Sequence, residues 1–146
     1  MPNDCINYQK SGYFSKIIVD YLDEKPELKK FYNRFPKIEN FEAQIAEKKA
    51  NFPSENRTVL VSELEKQYIN FEVSSSTLNN IKLLNDTNTF TVTTGHQLNL
   101  FTGPLYFLYK IVSAVNLSKE LKLNFPDYNF VPIYWMATED HDFDEI

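Results

Sequence analysis

The chain has 146 residues, 42% apolar and 24% charged, which is the composition of one ordinary soluble domain with enough length for a real core. Its net charge of −5 leaves no basic face rich enough to neutralise phosphates, which argues against nucleic acid as the main partner but permits a pocket for one phosphate. No apolar run approaches the roughly 20 residues a bilayer span needs, no basic-then-apolar leader is visible, and the single cysteine, Cys5, cannot pair internally, so a cytoplasmic location away from membranes is expected.

Residues 1 to 10 carry no pattern. From Gly12 to about Asp23, Phe14, Ile17, Ile18, Tyr21 and Leu22 recur at helical spacing, and Lys25-Pro26 ends that helix. Pro26-Glu27-Leu28 starts a short second one, and Phe31, Tyr32 and Phe35 form an aromatic cluster closed by Pro36. Residues 38 to 50 suit an amphipathic surface helix with Phe41 and Ile45 inward. Ser54 is the expected N-cap of a helix reaching about Phe71, with Val59, Leu60, Leu64, Tyr68 and Phe71 as its buried stripe. Ser74-Ser75-Ser76 then caps a shorter helix through Leu78, Ile81 and Leu84, so residues 1–85 form a helical N-terminal segment.

Beyond Asn85 the pattern changes. Phe90 to Thr94 is β-branched or aromatic and uncharged, a short buried strand that stops at Gly95. A helix from about Pro104 to Lys122 follows, with Leu105, Leu108, Ile111, Val112, Val115 and Leu117 on its apolar face. The second strand spans Phe130 to Met136, and Pro132, which lacks a ladder donor, points to an edge or strand-start position. Strand, helix, strand is a βαβ unit with parallel strands, so the fold class is α/β, with residues 86–146 as the start of a parallel-sheet core.

Parallel strands finish at one edge of their sheet, where ligands of open α/β folds bind. Gly95-His96-Gln97 and Thr138-Glu139-Asp140-His141-Asp142 therefore emerge side by side, and both histidines of the chain lie in these two loops. His96 and His141 are the candidate acid–base or hydrogen-bonding groups, and Asp140 and Asp142 flank an imidazole whose cationic form they favour. Gln97 offers an amide to a ligand or to its own loop, and Gly103, at a helix start, permits close approach of an anion. The plainer readings are a histidine satisfied by its loop and an acidic run that is a solvated face. Tyr106 and Tyr109 read as core or interface. His96, His141 and the aspartates could also be read as ligands of a divalent ion, but no His-Glu-x-x-His spacing is present and no metal is predicted. There is neither a G-x-G-x-x-G nor a Walker lysine pattern.

The sequence stops inside its most polar run, 139–146, which suggests the N-terminal piece of a longer protein. Thr94-Gly95-His96-Gln97, Thr102-Gly103-Pro104-Leu105-Tyr106, Lys110 and Trp135-Met136-Ala137-x-Glu139-Asp140-His141-Asp142-Phe143 together resemble the cysteine-adding enzymes of bacillithiol biosynthesis, the BshC family. The resemblance implies a Rossmann-like core akin to nucleotidyltransferases, connective segments, and a C-terminal coiled coil through which the full-length protein forms homodimers. It implies a ligase that joins cysteine to glucosaminyl-malate in the last step to bacillithiol, with ATP or ADP as a candidate cofactor. It places Gly95, His96 and Gln97 in the first active-site loop, Gly103 at the opening of the following helix, and Asp140, His141 and Asp142 in the second loop; His96, His141 and Asp140 are the expected catalytic residues, and Gly95, Gln97, Gly103 and Asp142 the expected substrate-binding ones. The alternatives are a nucleotidyltransferase-like enzyme that uses the same loops on a nucleotide, and a non-catalytic binding module.

Overall fold

The computed structural model describes residues 5–101 and 103–140. The chain divides into two compact units, 1–41 and 42–146.

The first unit holds two helices, α1 (Tyr8–Ser11) and α2 (Lys16–Leu22), then 3₁₀ segments at Pro26–Phe31 and Ile38–Asn40. The short α1, which the sequence pattern did not announce, exists through its ends. Asn7 accepts from the Gln9 N–H at 2.8 Å, and Gly12 closes the helix at φ 71° in the left-handed region. The expected aromatic cluster forms around Tyr21, whose ring lies 5.3 Å from Tyr32 edge-on and 5.0 Å from Phe35. The Asn40 side-chain amide donates to the Phe35 carbonyl at 2.8 Å, which ties the end of this unit to its aromatic centre.

In the second unit, α3 (Phe41–Asn51), α4 (Ser54–Tyr68) and α5 (Ser75–Leu83) precede β1 (Thr89–His96), α6 (Leu105–Asn124) and β2 (Asn129–Met136). Ser74 caps α5 as its sequence suggests, accepting from the Thr77 N–H at 3.2 Å. At α4 the cap is Pro53, with Ser54 already helical. The helix stops at Tyr68, three residues short of the Phe71 the apolar stripe suggested. Val59, Tyr68 and Phe71 are exposed, and the residue α4 buries is Arg57, 4% exposed. Its Nη1 donates to the carbonyls of Leu84 and Thr89, each at 3.0 Å, and its guanidinium lies over the Phe52 ring. One cation thus holds the end of α5 to the start of β1.

The βαβ unit forms as expected, except that β1, expected to be buried, exposes Thr91 and Thr93 on one face. β1 and β2 are parallel, in register from Thr89 opposite Asn129 to His96 opposite Met136, and α6 packs on both strands. The deepest positions on α6 are Ala114, Ser118 and Leu121, one face at spacings of four and three. Ser118 can be buried because its hydroxyl donates to the Ala114 carbonyl at 2.9 Å. Leu105, Leu108 and Val112, assigned to the buried face from the sequence, are exposed, because the small residues one turn on bring the helix onto the sheet further along its length. Pro132 sits fourth in β2, opposite Val92, and β2 has a single neighbour among the described residues. The missing N–H therefore leaves no described partner unmet.

Candidate active site at the carboxyl edge of the sheet

β1 runs two residues further than its apolar pattern indicates, so Gly95 and His96 are the last ladder positions rather than the first loop positions. The reason is steric. A Cβ at Gly95 would lie 2.9 Å from the Trp135 carbonyl oxygen and 3.0 Å from the Trp135 Cβ, so the bare backbone lets β2 close up to the strand's end. Gly95→Ala is accordingly expected to lose about 1–3 kcal/mol of stability, because the obstacle is backbone and cannot swing aside. Urea unfolding that matches the unaltered protein would contradict this.

His96 lies half-buried at this edge, and its backbone fixes where the second loop begins. Its carbonyl accepts from the Ala137 N–H at 3.2 Å and from the Tyr134 hydroxyl at 3.0 Å. Burial raises the Tyr134 phenol above its ordinary pKa, so this donor stays protonated throughout the neutral range. The turn from Ala137 is then closed by Asp140, whose N–H donates to the Ala137 carbonyl at 3.2 Å, with the Asp140 side chain exposed. The two loops therefore do leave the sheet side by side. His141 and Asp142, the other candidates of the second loop, lie outside the described residues.

The imidazole of His96 is held on both nitrogens. Nε2 is 2.7 Å from the Tyr106 hydroxyl, and Nδ1 is 3.0 Å from the Asn99 amide nitrogen. Phe107 meets the ring edge-on at 6.0 Å. Tyr106, which reads from sequence as core or interface, thus faces the histidine. Position gave a faint signal, since a residue in the first turn of a helix that follows the strand's loop returns to the strand's end.

Gln97 is buried, 2% exposed, with its carbonyl accepting from the Asn99 amide at 2.9 Å. Gly103 has φ +65°, and a Cβ there would stand 2.8 Å from the Asn99 Cβ and Cγ. The close approach that this glycine allows is by Asn99, which the loop wraps. Lys110, one turn after Tyr106 on α6, donates to the Gly95 carbonyl at 2.5 Å and brings a cation to the same edge. Among the described residues no three His, Cys, Asp or Glu side chains gather closely enough to hold a metal ion. No described helix is long and apolar enough to cross a membrane.

Residues 1–146 match the family model "Bacillithiol biosynthesis BshC, N-terminal Rossmann-like domain". Relatives from Flavobacterium psychrophilum and Flavobacterium johnsoniae, both bearing the name "Putative cysteine ligase BshC", are 71% and 69% identical over all of this chain and 28% of their own length. A relative of the same name from Bacillus cereus is 34% identical over 89% of the chain and 24% of its own length. The chain thus spans about 28% of the length of the first two.

Proposed function

The chain belongs to the BshC family of bacillithiol biosynthesis, as its N-terminal Rossmann-like domain, and from that premise we propose that the full-length protein is a ligase adding cysteine to glucosaminyl-malate to yield bacillithiol. The observation that carries the proposal is the meeting of the two motif-bearing loops at one sheet edge, joined by the bond from the Ala137 N–H to the His96 carbonyl. Amide formation needs a deprotonated amine, a stabilised acyl oxygen and a held leaving group. In this reading His96, His141 and Asp140 are catalytic, and Gly95, Gln97, Gly103 and Asp142 form the substrate-binding loops. Carboxylates in the second loop suit an ammonium or sugar hydroxyls. The chemistry an adenine nucleotide would supply is carboxylate activation. If ATP or ADP takes part, its phosphates would be met by Lys110 and by the first-turn N–H groups of α6, a helix start that favours anions.

A homodimer through a C-terminal coiled coil and a cytoplasmic location belong to the same proposal. Purified full-length protein given cysteine, glucosaminyl-malate and ATP should form bacillithiol, read as thiol product by mass spectrometry. No product under any nucleotide condition would remove the ligase assignment.

A further inference from the structure

His96 is a candidate from its position in the sequence, but its two partners are visible only in the folded chain. We propose that Asn99 fixes His96 as the neutral tautomer protonated on Nε2, and that the Tyr106 hydroxyl, accepting that proton's hydrogen bond, turns its own O–H outward as the donor to the substrate's acyl oxygen. The second half of this inference rests on the ligase reading; the first half does not.

The Gln97 carbonyl can only accept. It lies 2.9 Å from the Asn99 side chain, so the atom facing it must be the amide nitrogen, and the orientation of that amide is settled. The same nitrogen is 3.0 Å from His96 Nδ1, within reach of its hydrogens, and an amide nitrogen that can only donate is best met there by a lone pair on Nδ1. Asn99 is confined on the Gly103 side, where the backbone approaches its Cβ and Cγ with no room for a side chain between them. The ring proton is left to Nε2, 2.7 Å from the Tyr106 oxygen. That oxygen accepts, and no other hydrogen bond to it occurs among the described residues. Tyr106 is 49% exposed, so its O–H is free to meet a ligand on the open side. An oxygen that already accepts a hydrogen bond is also a better donor, since such chains polarise one another. The competing arrangement is a proton on Nδ1 donated to the Gln97 carbonyl, 3.2 Å away, which would set an N–H against the Asn99 amide hydrogens.

The chemistry that fits is an acyl oxygen gaining negative charge while an amine attacks, with one hydroxyl donor aimed at it and no charge displaced on the enzyme. Asn99 acts here as a positioning residue and Tyr106 as the group that touches substrate.

The tautomer is read without any substrate. In ¹⁵N-histidine-labelled full-length protein, with His96 assigned by its absence in His96→Gln, Nε2 should show the protonated shift and Nδ1 the unprotonated one at neutral pH. Asn99→Asp replaces the donor by an acceptor and should move the proton to Nδ1, or leave the ring doubly protonated, while the circular dichroism stays unchanged. A native ring protonated on Nδ1, or an Nε2–H tautomer that persists in Asn99→Asp, overturns the first half. Tyr106→Phe should keep the tautomer and lower kcat about 10²-fold with little change in KM for cysteine. Unchanged kcat overturns the second half. If the unaltered protein forms no thiol product, the ligase reading and the role of Tyr106 on substrate fall together, and the spectra still decide the tautomer.

Discussion

Full-length protein carrying His96→Ala is expected to lose bacillithiol formation by about 10²–10⁴-fold, the range for removing a positioned acid–base or hydrogen-bonding group. The geometry says why the loss should be chemical rather than structural. The ring of His96 stands half-buried at the edge, while the backbone carbonyl that anchors Ala137 and Tyr134 is retained in the variant. The ladder opposite Met136 is likewise a main-chain matter. Thermal melts of His96→Ala and unaltered protein should therefore fall within a few degrees of each other, since the Asn99 amide that loses the ring keeps its bond to the Gln97 carbonyl. His141→Ala, in the second loop, should abolish product in the same way. Full activity in both variants would remove the site assignment, and a large drop in melting temperature would make the loss uninformative about chemistry.

The second large effect concerns Arg57. Arg57→Met keeps much of the side chain's bulk but removes the donors to the Leu84 and Thr89 carbonyls, in surroundings where both residues are almost fully buried. Each carbonyl would then be desolvated without a partner, and together they should lower stability by about 2–5 kcal/mol. For a chain this long that is roughly 5–15 °C in melting temperature. Arg57→Lys retains the charge but not the fork, and should fall between the two. The effect should reach the site as well, because the guanidinium fixes where β1 begins. If Arg57→Met melts with the unaltered protein, the clamp is not a determinant of the fold.

Arg57 has no signature in the apolar periodicity of α4. The residue falls in a helix whose apolar positions suggested a stripe from Val59 to Phe71, and periodicity counts apolar residues only. A charged residue that is buried because two main-chain carbonyls need it leaves no trace in such a pattern. The βαβ unit was legible for the opposite reason. β1 is an uncharged run of β-branched and aromatic residues and β2 is almost continuously apolar, and parallel pairing then places their ends together without further information. The strand's extension through Gly95 and His96 was hidden, since it depends on how closely Trp135 approaches from a partner 40 residues away. The candidate site divides similarly. His96 and Asp140 were legible from topology, whereas Asn99 and Tyr106 become relevant only once the loop has closed around Gly103 and returned α6 to the strand's end.

If the proposed function holds, the loops after β1 and β2 form one substrate site. A crystal structure of the full-length protein with glucosaminyl-malate bound tests it most directly. The ligand is expected at the carboxyl edge of β1 and β2, with His96 and His141 facing it from the two loops. A ligand bound elsewhere, or the two imidazoles on opposite sides of the sheet, would contradict it.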